Sequence, residues 1–197
     1  MKKVLLSAVA LLAFGFANAQ EEEKGNGGFA KGDVFVSGGV GFNSGKQGEF
    51  KESNVTFSPA VGYFVAENIA LGARLDIMSG KEEAFGAEDK MSSFGAEVFG
   101  RYYWTPASQF SVFGEAAVGF GNSKMEYAGG GEDKYKTFGI NAGVGVSYFL
   151  NSNWAIEAGW GALGYNTEEV DGDDESTNSF NLGLDLTNIN LGLVYKF

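Results

Sequence analysis

The sequence predicts an all-β protein, an eight-stranded antiparallel up-and-down transmembrane β-barrel, and three observations point there. Apolar residues recur at every second position in eight separate segments. Tight turns alternate with long polar connections between those segments. The face opposite the apolar one carries Gly, Ala, Ser and Asn with a few charges. A period of two is the pattern of a strand with unlike faces, and short turns at one end with long loops at the other is the layout of a membrane barrel.

Composition narrows the function classes. The chain has 197 residues with 31 Gly, 2 Pro, no Cys, no His and a formal charge of −11. Without Cys there is no disulfide framework, thiolate metal site or redox pair. Without His, chemistry that needs an imidazole base or ligand is excluded. The acidic balance argues against nucleic acid, whose phosphates need a basic surface. With 18 Phe, 8 Tyr and 3 Trp the chain is too rich in large apolar groups for disorder.

Residues 1–19 read as a secretory signal peptide: Lys2 and Lys3 form a positive start, residues 4–17 an apolar run, and Ala17 and Ala19 the small residues of a cleavage site. That run is shorter than the roughly 20 residues of a spanning helix. Residues 20–31 are charged and Gly-rich without periodicity, so a flexible leader on the periplasmic side is expected. The barrel is expected to fill residues 32–197.

The strands follow in order. The first sets Val34, Val36, Val40 and Phe42 against Ser37, Gly39 and Gly41; the second sets Val55, Phe57, Val61 and Tyr63 against Thr56, Ser58, Ala60 and Gly62. The third opposes Ile69, Leu71, Ala73, Leu75 and Ile77 to Ala70, Gly72, Arg74 and Asp76, and the fourth opposes Phe94, Ala96, Val98 and Tyr102 to Gly95, Glu97, Phe99 and Arg101. In the fifth, Phe110, Val112, Ala116, Val118 and Phe120 alternate with Ser111, Phe113, Glu115 and Gly119. The sixth pairs Phe138, Ile140, Ala142, Val144, Val146 and Tyr148 with Gly139, Asn141, Gly143, Gly145 and Ser147. The seventh sets Trp154, Ile156, Ala158 and Trp160 against Glu157, Gly159 and Gly161, and the eighth ends in Ile189, Leu191, Leu193, Tyr195 and Phe197. Each segment is near the nine to eleven residues of a tilted membrane-crossing strand.

Tight turns are expected at 66–68, 105–109 and 151–153, and long loops at 43–54, 79–93, 122–137 and 165–179. An even strand count then places both termini on the periplasmic side. After the signal, every Lys lies in the leader or a long loop except Lys196, as expected where a lipid-facing Lys costs roughly 2 to 4 kcal/mol. Tyr63 and Phe64, residues 102–104 with Phe110, and Tyr148 with Trp154 bracket the tight turns and are expected to form an interfacial aromatic girdle.

Two stretches carry a resemblance. The ending 191–197, with terminal Phe197 and apolar Tyr195 and Leu193 before it, resembles the C-terminal signal of outer-membrane barrels. Residues 58–64 followed by 68–72 resemble the second hairpin of the small outer-membrane barrel family related to OmpA and OmpX. The resemblance implies a bacterial outer-membrane location, contact with outer-membrane lipid and lipopolysaccharide, handling by the barrel assembly machinery, and a monomer without cofactor. The periplasmic peptidoglycan-binding domain of OmpA-type proteins has no counterpart in the sequence.

Two places depart from the pattern. Pro59 removes a ladder donor inside a strand, so a bulge or a splayed pair is expected. Phe180, Leu182, Leu184 and Leu186 have one parity and Ile189, Leu191 and Leu193 the other, so a one-residue bulge near Thr187 or Asn188 is expected to keep both sets outward.

The candidate site is the lumen. The chain's two arginines, Arg74 and Arg101, fall on inward positions with Asp76, Glu97, Glu115 and Glu157. Charges in so narrow a space must be paired or hydrated, and the forked guanidinium suits a carboxylate network that bridges the lumen. The function expected is structural or surface-interacting through the long loops; a narrow porin-like channel for ions or very small solutes is the alternative. Salt-bridging carboxylates with no His give no enzyme. The acids Glu168, Glu169, Asp171, Asp173, Asp174 and Glu175 of the last loop do not match a calcium-binding loop, so no metal is expected there.

Overall fold

The computed structural model describes residues 27–172, 176–183 and 189–197. The expected signal peptide and the expected bulge at Thr187 or Asn188 lie outside the described residues. Nine strands appear among those described: β1 (Val34–Gln47), β2 (Phe50–Phe64), β3 (Ile69–Ala84), β4 (Ala87–Tyr103), β5 (Phe110–Glu126), β6 (Glu132–Phe149), β7 (Trp154–Val170), β8 (Ser176–Leu182) and β9 (Asn190–Lys196). Neighbours pair antiparallel from β1 through β7. The upper half of β7 pairs with β8 and the lower half with β9. β9 also pairs with β1, closing the sheet. β8 and β9 are therefore two parts of one stave, and the barrel has eight staves.

The strands are longer than the hydrophobic pattern announces, reaching 18 residues in β6. What reads as long loops is largely ladder, because Ser, Lys and Glu continue the alternation past the apolar band. Gln47 pairs with Phe50 and Ala84 with Ala87, leaving two-residue turns. Phe85 and Gly86 turn at φ of 51° and 84°, the left-handed pair of a type I′ hairpin in which a Phe is strained.

At Pro59 the register holds. β2 and β3 pair Phe57 with Ile77 and Ala60 with Arg74, three steps along each strand, with Ser58 and Pro59 skipped. The result is the splayed pair, without a bulge, and the Ser58 hydroxyl instead donates to Asp76 Oδ1 at 2.6 Å.

In the last stave the pairing of β7 passes from β8 to β9. The described pairs nearest that change are Leu163–Leu182 and Gly159–Asn190. β7 itself carries a register shift opposite Ala142 and Gly143. Phe180 and Leu182 pair with exposed Tyr165 and Leu163, and Leu193 pairs with exposed Ile156, so both parities face outward.

Inward glycines are covered by rings. A Cβ on Gly62 would lie 2.2 Å from Phe35, on Gly72 2.3 Å from Phe99, and on Gly145 2.3 Å from Phe113. Glycine therefore serves here as floor for an aromatic face.

Candidate functional site in the barrel lumen

Strand alternation sends Arg74, Glu97, Arg101, Glu115 and Glu157 into the lumen, and the structure joins these five. Arg74 on β3 donates to Glu97 on neighbouring β4, and its Nη2 reaches past β4 to Glu115 on β5 at 2.9 Å. Arg101 donates through Nε to Glu115 and through Nη1 to Glu157 on β7, 2.9 Å away and three staves around the wall. Arg101 and Glu157 are each 6% exposed. Asp76, expected in the same network, takes the Ser58 hydroxyl instead.

Aromatic faces complete the desolvation of Arg101. Its guanidinium carbon lies 4.5 Å from the Phe113 ring centre, 5.0 Å from Phe99 and 5.8 Å from Phe35. The Arg74 guanidinium carbon also lies 5.0 Å from the Phe99 ring centre. A planar cation with five donors can be held by carboxylates at its edge and by rings on its faces at once.

Below the charges lies an aromatic cluster. Phe64 and Tyr103 were expected in the outward girdle; both are fully buried inside. Consecutive residues on a strand face opposite ways, so of each aromatic doublet only Tyr63 and Tyr102 stay outward. Phe29, from the end of the leader, fills the centre at 2% exposure. Its ring stands 4.7 Å from Phe64, 4.8 Å from Phe149, 5.3 Å from Tyr103 and 5.6 Å from Phe35. The backbone holds it there: Phe29 N–H donates to the Pro106 carbonyl at 2.7 Å and Lys196 Nζ to the Gly28 carbonyl at 2.6 Å. The leader's last residues are thus seated in the barrel. One signal was present, since Phe29 is the sole aromatic of residues 20–31.

The hairpin rim is ionic. Glu83 lies between Lys51 and Lys81, and Glu132 between Lys124 and Lys134; hydrogen bonds from these ammonium groups hold the pKa of both carboxyls down to about 2. No group of three or more metal-ligating side chains occurs among the described residues.

The sequence matches the family described as outer membrane protein beta-barrel domain over residues 6–197. The chain belongs to that family. Members of the outer membrane protein β-barrel family lie in the bacterial outer membrane, and this one carries an exposed apolar band. A major outer membrane protein from Thermus thermophilus superposes with a TM-score of 0.50 at 15% identity, covering 84% of this chain and 98% of that one. OprG from Pseudomonas aeruginosa gives 0.48 at 14% identity over 86% and 98%. Neisserial surface protein A gives 0.47 at 16% identity over 85% and 100%. No curated protein matches the sequence. At this identity the Thermus structure speaks for the β-barrel fold alone.

Proposed function

We propose that the protein is a structural and surface-interaction barrel of the outer membrane, closed at its tight-turn end, with both termini periplasmic and its hairpins outside the cell. The observation that carries the closure is the span from Arg101 to Glu157 lying directly on the ring cluster around Phe29. Eight staves leave an interior that side chains can fill, and here ion pairs and rings fill its lower part. Glu97 and Glu115 are both engaged by Arg74, so neither is a free acid or base, in keeping with a non-enzymatic role. The interaction surface is at the hairpin tips, where the strained, 80% exposed Phe85 stacks edge-on at 6.4 Å against exposed Phe50 of the next hairpin. Leu193, Tyr195 and Phe197 follow the outward parity of β9, the strand that closes on β1, which suits a C-terminal assembly signal.

Planar-bilayer recording of the refolded protein tests the closure. We expect no resolved unitary conductance from the wild type. Steady ion-selective openings that change with Arg101→Ala would establish the narrow channel instead; silence from both proteins rules the gate out. Orientation is read separately. The chain has no Cys, and Gly129, in open space in the β5–β6 hairpin, accepts a single Cys that an impermeant maleimide labels on intact cells if the hairpins face outward.

A further inference from the structure

Residues 20–197 contain three methionines, and the fold gathers all three in one place. Met78 lies on β3, Met91 on β4 and Met125 on β5, on adjacent staves toward the hairpin end. The unbroken registers between these staves give them the parity of Arg74, Glu97 and Glu115, so all three point into the lumen. Each is half-buried, whereas outward Ile77, Phe94 and Phe120 nearby are exposed. Met91 stands directly opposite Met125, and Met78, whose own partner is Ser93, stands diagonal to Met91. Opposed side chains have Cβ atoms about 5 Å apart and diagonal ones about 7 to 8 Å, a span that long side chains bridge.

Packing gives no account of the trio. Methionine commonly fills irregular gaps in a core, but none of the three belongs to the buried hydrophobic cluster. Their inward neighbours Gly80, Ser93, Gly121 and Ser123 are small or polar. The surroundings favour a cation instead. Met91 and Met125 line a cleft of about 30 Å³ together with Glu52, Glu82 and Asp89, room for a single ion and not for an organic solute. Glu52 and Glu82 have no ion pair among the described residues, and Asp89 accepts the Ala128 N–H at 2.8 Å. Lys81 and Lys90 border the same cleft, but their ammonium groups go to Glu83 and Glu88 on outward positions. His, Cys, Asp and Glu side chains form no metal-holding group of three among the described residues, so the carboxylates draw cations to the mouth without caging one. Thioethers decide which cation stays, because these soft ligands select Cu(I) over the hard divalent ions.

We propose that Met78, Met91 and Met125 bind one soft monovalent cation of the Cu(I) and Ag(I) class inside the mouth of the barrel, with Glu52, Glu82 and Asp89 supplying the negative surroundings. Binding by the refolded barrel does not depend on which side of the membrane the hairpins face.

The test uses residues 20–197 behind an initiator methionine, refolded with methyl-labelled methionine and titrated with silver nitrate in chloride-free buffer, silver serving as the redox-stable stand-in for Cu(I). In NMR spectra the methyl signals of Met78, Met91 and Met125 should shift together and saturate at one silver ion per barrel, while the initiator signal stays in place. Ca²⁺ and Zn²⁺ at the same concentrations should move none of them. Met91→Leu/Met125→Leu keeps the volume of the pair and removes its sulfurs. Calorimetry should then show silver binding weakened at least about tenfold, the least that loss of even outer-shell partners costs many metal sites. Unheated gel mobility certifies that the variant is folded; Met125→Leu alone serves if the double variant is not, with a smaller loss in the same direction. Unmoved methyl signals overturn the proposal, as do equal shifts at the initiator methionine or equal silver affinity in wild type and variant. So does silver binding that Glu52→Gln/Glu82→Gln abolishes and the methionine variant leaves intact.

Discussion

Replacing Arg101 with alanine should lower the unfolding free energy of the barrel by about 3 to 5 kcal/mol, because it strands buried charge. Glu157 would lose its only guanidinium and Glu115 one of two. The rings of Phe99 and Phe113 would also lose the cation between them. Denaturant titration of the refolded barrel, followed by its heat-modifiable gel mobility, measures the change. Arg101→Lys should recover only part of it, since one ammonium cannot fork to two carboxylates and stack on rings together. The sharper comparison is Arg101→Ala/Glu157→Gln. Removing the stranded carboxylate's charge should restore more than a kilocalorie per mole, by the order of coupling seen within one buried network. A double variant no more stable than the single one would show that Glu157 is hydrated, and that the span to β7 contributes little.

The second large effect belongs to Phe29. Truncating a ring with this burial costs about 3 kcal/mol, but Phe29 lies on a segment that can leave, so the cost should appear as undocking and not as unfolding of the barrel. A loss of that size is a shift of about a hundredfold in the docked fraction. Trypsin cleavage after Lys31 reads it, because the following Gly32 N–H is bonded to the Phe64 carbonyl at 2.9 Å while the segment is seated. Phe29→Ala should be cut up to about a hundredfold faster, with the remaining barrel keeping its folded mobility. An unchanged cleavage rate would mean that the bonds to Pro106 and from Lys196 hold the segment without the ring.

The two substitutions fall on opposite sides of what the sequence makes legible. Arg101 could be placed from its neighbours, because a charge on the small-residue face of an alternating strand has one direction to point. The eight staves were legible for the same reason, as the apolar face of each carries an unmistakable period. Phe64 and Tyr103 were not, since a doublet of aromatics satisfies either face and only the register decides which member turns inward. Phe29 lies in a segment with no period at all, and its role comes from a cage assembled from β1, β2, β4 and β6. The hairpin ladders were hidden by their own chemistry: Ser, Lys and Glu alternate there without any difference in hydropathy. The parity change in the last stave was visible, because the apolar residues on either side of it keep their own period of two.

The docked leader has a consequence for the order of assembly. Phe29 packs against Phe35, Phe64, Tyr103 and Phe149 together, and the Gly28 carbonyl is held by Lys196, at the far end of the chain. That cage exists only once the first and last staves have met along the β1–β9 seam. The N-terminal segment can therefore lock only after the C-terminal strand has arrived, and its protection is a record that the circle is complete.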